Sequence, residues 1–395
     1  MTTKERFLAA VSGQVPDRVP ATPDTSNYIP AKRTGLPFWD IYYHGKIPLW
    51  RAYLDVADYF GADAWVACCA GVPTVNKNSR VEWRREARFT DDGRALVWRN
   101  TVKTPDGELT SEYTCFRADP PSPTERLIKD LERDFPKYRW LLDEPTGINT
   151  EQFEEVRAEC RRRGHAFGLS VGYPGFQAWE GAIQGSVQAL AYALSDCPHL
   201  LDEWHDRQQA QCVKIAELAL AAGMDYLQLG GSGTITLASP TLARRYAIPT
   251  IKRITEMAAR AGVPTVLHSC GRSRAFVDML VEETQLNCIT PLEIPPMGDV
   301  DLAELKRARG RQIALMGNLH TTAVMLEGTP ETVRRKSLEA MAAAGEGGGF
   351  ILSTGDQCPR ETPDENLFAL IETTKQFGVY DRDGKLPRVA EALRG

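Results

Sequence analysis

The sequence predicts an α/β protein, a (β/α)8 TIM barrel carrying an amino-terminal insertion that contains a β-hairpin. Two observations predict the barrel and a third the insertion. Short, continuous apolar runs, the mark of parallel strands buried on both faces, recur along the chain and number eight. Amphipathic stretches of helical length alternate with most of them, as βα units require. Between the second and third runs, residues 81–116 replace this rhythm with polar-apolar alternation around a turn.

Taken in order, Asp17–Ala21 (DRVPA) starts the first strand, and a helix over Leu49–Phe60 leads to the second at Ala62–Cys69 (ADAWVACC). The insertion covers about residues 78–125 of what otherwise reads as one domain, 1–395. Its hairpin pairs Ala95–Thr104 with Glu108–Phe116 across Pro105, Asp106 and Gly107, a turn tripeptide. The proline-rich stretch Ala118–Pro123 closes it and leads to a helix around Thr124–Arg133. The remaining strands are His165–Gly172, Met224–Leu229, Pro264–Cys270, Leu286–Glu293, Gln312–Leu319 and Gly349–Thr354. Helices over Ser186–Ala222, Pro240–Ala261, Ser273–Thr284, Asp301–Arg309, Pro330–Ala344 and Asp364–Phe377 separate and follow them.

Composition removes several function classes. With 47 Lys+Arg against 52 Asp+Glu the formal net charge is −5, and no block of like charges supplies the basic footprint of nucleic-acid binding. The longest apolar runs, such as Ile215–Ala222 with Glu217 inside it, are far short of the ~20 residues that span a bilayer. Met1–Ala10 carries Lys4, Glu5 and Arg6 with no apolar core, so no secretory signal is visible and a cytoplasmic protein is expected. Nine scattered cysteines, an odd number, argue against a disulfide framework and for metal, catalytic or packing use.

Reactive groups of a barrel are expected at the carboxyl ends of its strands. There the fifth strand ends His268-Ser269-Cys270, and residues two apart on an extended chain share a side, so an imidazole and a thiol converge. Cys358, beyond the last strand in Thr354-Gly355-Asp356-Gln357-Cys358, adds a second thiol. One nitrogen and two sulfurs with a fourth position open is the donor set of a catalytic zinc. Glu293 offers a fourth oxygen ligand or a carboxylate behind the ligands, and Asp225 and Asp356 a proton relay or a partner for His268. His320 is a general acid or a pocket donor. The bland alternative is a hydrogen-bonded core histidine beside a small hydrophobic cysteine. Cys68, Cys69, Cys115, Cys160, Cys197, Cys212 and Cys288 lie in apolar or helical runs and read as packing residues. Gly230-Gly231-Ser232-Gly233 follows a strand and serves either as a phosphate or corrinoid cradle or as a plain tight turn.

At these residues the sequence resembles the uroporphyrinogen decarboxylase-like superfamily, and within it the zinc-dependent methyltransferases that work with corrinoid proteins. The similar segments are Arg6–Pro20 (RFLAAVSGQVPDRVP), Gly172-Tyr173-Pro174 with Glu180-Gly181, and Leu267–Gly271. Further on come Pro291-Leu292-Glu293, Met316-Gly317-Asn318, and Thr354–Cys358 with Thr362–Leu367. The resemblance implies zinc held by His268, Cys270 and Cys358, with Glu293, Asp356 and His320 in the chemistry and Tyr28, Tyr173 and Asn318 at the substrate. It also implies corrinoid (cobalamin) as the methyl carrier, on a partner protein or free. The porphyrinogen-binding Arg-rich segment of true decarboxylases is missing, since Asp24–Arg33 stands in its place.

Two directions of methyl transfer remain open. In one, a methylated substrate gives its methyl group to cobalt, as in an O-demethylase. The aromatics Tyr28, Phe38, Trp39, Tyr42, Tyr43, Trp50, Trp83 and Trp98 around the insertion suit a methoxylated aromatic there. In the other, methyl-corrinoid serves a thiol or tetrahydrofolate-type acceptor. The same aromatics also fit a packed core or the contact of a homodimer. The competing readings are a metal-independent lyase that decarboxylates a smaller acid, and a zinc-bound scaffold that only docks a corrinoid protein.

Overall fold

The computed structural model describes residues 1–65 and 70–394. The insertion comes first as an antiparallel sheet of four strands in spatial order β1-β2-β3-β4: β1 (Glu82–Phe89), β2 (Ala95–Thr104), β3 (Gly107–Phe116) and β4 (Ser122–Glu125). The expected hairpin is β2 and β3, in register from Ala95 opposite Phe116 to Thr104 opposite Gly107. β1 was hidden in the sequence because all eight of its residues are exposed and five are charged, so no buried face imprints an alternation. The helix expected around Thr124–Arg133 is a correction: Ser122–Glu125 pairs with β3, and the helix runs Leu131–Tyr138. Asp130 starts it, its carboxylate accepting from the Arg133 N–H at 2.9 Å.

Six parallel strands follow in chain order: β5 (Gly168–Gly172), β6 (Tyr226–Gly230), β7 (Thr265–His268), β8 (Cys288–Thr290), β9 (Ala314–Leu319) and β10 (Phe350–Thr354). Nearly all of their residues are buried, the reason they read as unbroken apolar runs. β8 is shorter than the expected Leu286–Glu293 because Pro291 has no N–H to continue a ladder. Ala21 bridges Leu352 on one side of the sheet, and Gly71 bridges Ser170 on the other, both in parallel sense. The Asp63 N–H donates to Ala21 O at 2.8 Å, so the first and second segments sit side by side and the ring closes as a TIM barrel. The second expected strand, Ala62–Cys69, runs into residues 66–69, and with Cys68 and Cys69 that part lies outside the described residues.

The helices start and stop where local chemistry directs. Leu49–Phe60 ends at Gly61 in the left-handed conformation, and Pro330–Ala344 begins behind Thr329, whose hydroxyl accepts from the Thr332 N–H. The stretch expected as one helix over Ser186–Ala222 breaks at Cys197, where Pro198 opens a second helix. Among the described residues no helix is long and apolar enough to cross a membrane.

The inner face of the insertion sheet, Leu96, Trp98 and Cys115, packs on Ala31, Phe38 and Ile41 from the helices Tyr28–Thr34 and Phe38–Tyr42. Tyr28, Trp39, Tyr42 and Tyr43 complete this cluster, Trp50 packs on the barrel core, and Trp83 is exposed. The aromatics that suggested a substrate pocket are therefore mostly the insertion's own core.

Candidate metal centre

His268 is the last residue of β7, held by ladder neighbours on both sides, Gly230 on β6 and Thr290 on β8. Cys270 lies just past the strand, so its approach to His268 comes from the turn after β7 rather than from strand alternation. Asp356, in the loop after β10, arrives from the far side of the ring. Its φ of 136° is one that L side chains rarely adopt, and Thr354 Oγ1 fixes the turn by donating to Asp356 O at 2.7 Å. The donor atoms of His268, Cys270 and Asp356 all lie within 4.8 Å of one another. A zinc ion some 2.0–2.3 Å from each donor would draw them somewhat closer together than that limit.

Cys358, the expected third ligand, does not belong to that close group. It is fully buried, and its N–H donates to Asp24 O at 2.8 Å. Its thiol is pushed up by burial first, with Asp24 and Asp356 adding to the shift. Burial likewise pushes the Cys270 thiol up to about 12, with Asp356 and Glu293 adding to the shift. Without a cation both sulfurs are therefore protonated at neutral pH, and a bound dication would displace those protons.

Glu293 lies beyond β8, only 8% exposed, and its carboxylate accepts from the Gly271 N–H in the turn that carries Cys270. Burial raises its pKa, with Asp356 acting in the same sense. Asp24 was not singled out by its sequence context. It is buried beside Ser26, whose N–H donates to it at 2.9 Å, and its pKa is raised by burial although His268 opposes the shift. Its place just after the first strand is the signal that could have found it.

Of these groups, His268, Asp356 and Asp24 open onto a cavity of about 500 Å3. Its wall includes Asp24, Asn27, Tyr53, Gln177, Glu180 and His268, with Asp356 and the Gly230-Gly231-Ser232 turn. No Lys or Arg lines it among the described residues. Glycine at 231 is required by Tyr173, since a Cβ there would stand 2.2 Å from the Tyr173 hydroxyl.

Four of the expected residues, Tyr173, Tyr28, Asn318 and His320, lie outside the wall of this cavity. Tyr173 is fully buried, its hydroxyl 2.8 Å from Thr234 Oγ1, and it supports the glycine turn from below. Tyr28 packs in the insertion cluster. Asn318 and His320 line a second, more apolar cavity of about 510 Å3 with Ile294, Pro295 and Leu302. His320 Nδ1 accepts from the N–H groups of Thr322 and Ala323 at 3.1 and 3.0 Å, which leaves the ring proton on Nε2. Asp225 is also corrected. It precedes β6 at the amino end of the barrel and pairs with Lys4 at 2.6 Å, so it cannot serve as a relay to His268.

A parallel barrel with a His, Cys and carboxylate group at its carboxyl face defines the class. The family model for uroporphyrinogen decarboxylase (URO-D) matches residues 177–377, and the chain belongs to that family. A uroporphyrinogen decarboxylase of Anaeromyxobacter dehalogenans is 30% identical over 203 residues, 51% of this chain and 55% of the relative. The methylcobamide:CoM methyltransferase MtbA of Methanosarcina mazei is 30% identical over 159 residues, 37% of this chain and 43% of that one. The chain thus spans about half the length of these relatives. A solved methyltransferase from Methanosarcina mazei shares the fold over 95% of this chain and 99% of its own, with a TM-score of 0.65 at 19% identity.

Proposed function

We propose that this chain is a zinc-dependent methyltransferase that moves a methyl group between a small molecule and the cobalt of a corrinoid, carried by a partner protein or free. The observation that carries the reading is the gathering of His268, Cys270 and Asp356 donor atoms at the mouth of a barrel, with Cys358 two residues on. His268, Cys270 and Cys358 would hold the metal, with Asp356 as a close oxygen donor or as the carboxylate that orients His268. Zinc in such a site supplies a Lewis acid that keeps a thiol as thiolate or polarises a methyl-bearing heteroatom. Glu293 fixes the Cys270 turn through Gly271, and burial raises its pKa. Similarity to MtbA supports the methyl-transfer reading, while similarity to decarboxylases keeps the lyase as its competitor.

The cavity wall helps choose between them. A substrate rich in carboxylates would find no cation among the described lining residues, which weighs against decarboxylation. Polar groups from Ser26, Asn27, Ser170, Gln177, Ser232 and Gln357 dominate, and a methoxylated aromatic would meet one ring, Tyr53. A small polar methyl carrier or thiol suits that wall better. The test is metal analysis of the purified protein together with methyl transfer to or from cobalamin, followed by its visible spectrum. One zinc per chain and a Cys358→Ser variant that loses transfer are expected. Zinc-free protein with unchanged activity in that variant would sink the mechanism.

A further inference from the structure

β1 is the free edge of the insertion sheet, and among the described residues no strand pairs with its outer side. An exposed eight-residue edge is a ready template for another strand, and proteins commonly guard such an edge with charge. Here the charges have a pattern. Glu82, Arg84, Glu86 and Arg88 alternate in sign along one face of the strand, because side chains two apart share a face. The other face continues the sheet's buried side: Trp83 stands opposite Val102 and Phe89 opposite Leu96, and although Phe89 meets Trp39 edge-on they are 57% and 49% exposed.

From this pattern we infer that β1 pairs with β1 of a second copy of the chain, antiparallel about a two-fold axis at Arg85, so that two four-stranded sheets become one of eight. In this register Glu82 opposes Arg88 of the second copy and Arg84 opposes its Glu86, and symmetry repeats both contacts. All four charged pairs are attractive. Sliding the strands by two residues either way, the smallest step that keeps like faces together, sets Arg84 against Arg88 and Glu86 against Glu86, or Glu82 against Glu86 and Arg84 against Arg84. The sequence thus selects one register and penalises its neighbours.

On the other face Trp83 opposes Ala87, a large ring over a small residue, with Phe89 diagonally adjacent and within reach of aromatic contact. The one like-charged contact, Arg85 on Arg85, is relieved because Arg85 already turns inward. Its Nε donates to Asn100 Oδ1 at 2.9 Å, and its guanidinium lies 5.8 Å from the Tyr43 ring centroid. A single strand pair buries less surface than a permanent dimer, so the association is weak, concentration-dependent and sensitive to salt.

Sedimentation velocity on the full chain over a hundredfold concentration range tests this. A monomer-dimer equilibrium that weakens with salt is expected. Arg84→Glu alone or Glu86→Arg alone turns two attractive pairs repulsive and should weaken it at least about tenfold. The combined swap restores every opposite-charge pair and should return association to within about threefold of the natural chain. Both positions are exposed, and thermal melts of the variants should match the natural chain. A monomer at every concentration overturns the proposal. So does a dimer indifferent to the single changes, or a swap no better than either of them.

Discussion

His268 Nε2 stands 3.8 Å from Asp356 Oδ1, although they are 88 positions apart in the sequence and reach the barrel mouth from β7 and from the loop after β10. At that distance the two do not hydrogen-bond well, and the gap is of a size that a shared cation closes. His268→Ala and Cys270→Ser should each abolish stoichiometric zinc. Asp356→Ala should weaken binding by about 10- to 100-fold, the usual cost of removing an orienting or supporting carboxylate. Competition against a chelator measures all three, and an Asp356→Ala affinity equal to that of the natural chain would remove Asp356 from the site.

Zinc uptake should also be coupled to protons. The Cys270 thiol is pushed up to about 12 by burial and neighbouring carboxylates, and burial raises Cys358 as well. Each thiol that ligates must lose its proton, so apparent affinity should rise by about tenfold per pH unit per thiol ligand below those values. Calorimetric titration in buffers of different ionisation enthalpy counts the released protons. Two fewer bonds to sulfur would appear as zero release, which would leave His268 and carboxylates as the binding set.

A second carboxylate works on the opposite side of the protein. Asp63 is 1% exposed and accepts from Arg6 Nη1 at 2.8 Å, from Arg18 at 2.7 and 2.8 Å, and from the Ala21 N–H at 2.8 Å. It ties the first helix, Thr3–Val11, to the first two segments of the ring. Asp63→Asn leaves Arg18 without its buried counter-charge and Arg6 with Asp17 alone, and should destabilise the fold by about 3–5 kcal/mol. Urea denaturation measures the loss, and a change under about 1 kcal/mol would mean that solvent compensates those arginines.

Much of this was legible because it obeys periodicity. The helices Leu49–Phe60, Pro330–Ala344 and Asp364–Phe377 were expected at the bounds they have, being long, amphipathic and marked at their starts or ends by proline or glycine. His268 and Cys270 are legible as a pair because two metal-binding side chains at the end of an apolar run are conspicuous, although Cys270 lies in the turn past the strand. Asp24 and Gln177 are not singled out by the sequence, since polar residues after a strand resemble any loop until the ring closes. Nor can sequence tell aromatics under a sheet from aromatics around a ligand: Phe38 and Trp98 are equally apolar in either place. β1 escaped for the complementary reason, that a strand with no buried face leaves no pattern of burial to read.

The buried carboxyls should make the metal-free site less stable as pH rises. Burial raises the pKa of Glu293 and of Asp24, so in the folded chain they keep protons that the unfolded chain releases above the ordinary carboxylate range. Folded protein then binds more protons than unfolded protein between that range and the raised values. Stability contributed by the two groups is greatest below the unfolded values and declines as pH climbs through that window. Glu293→Gln removes the ionisation while keeping an oxygen to accept from the Gly271 N–H, and Asp24→Asn does the same beside Ser26. With metal stripped, each variant should melt near the natural chain at pH 4.5 and above it at pH 8. Melting curves that stay parallel across this range would show that neither carboxyl titrates differently in the fold. The same substitutions should weaken zinc retention, because a cation stabilises the charged carboxyls that burial penalises. Higher stability without metal and poorer retention of zinc would together mark the site as one built to be completed by a cation.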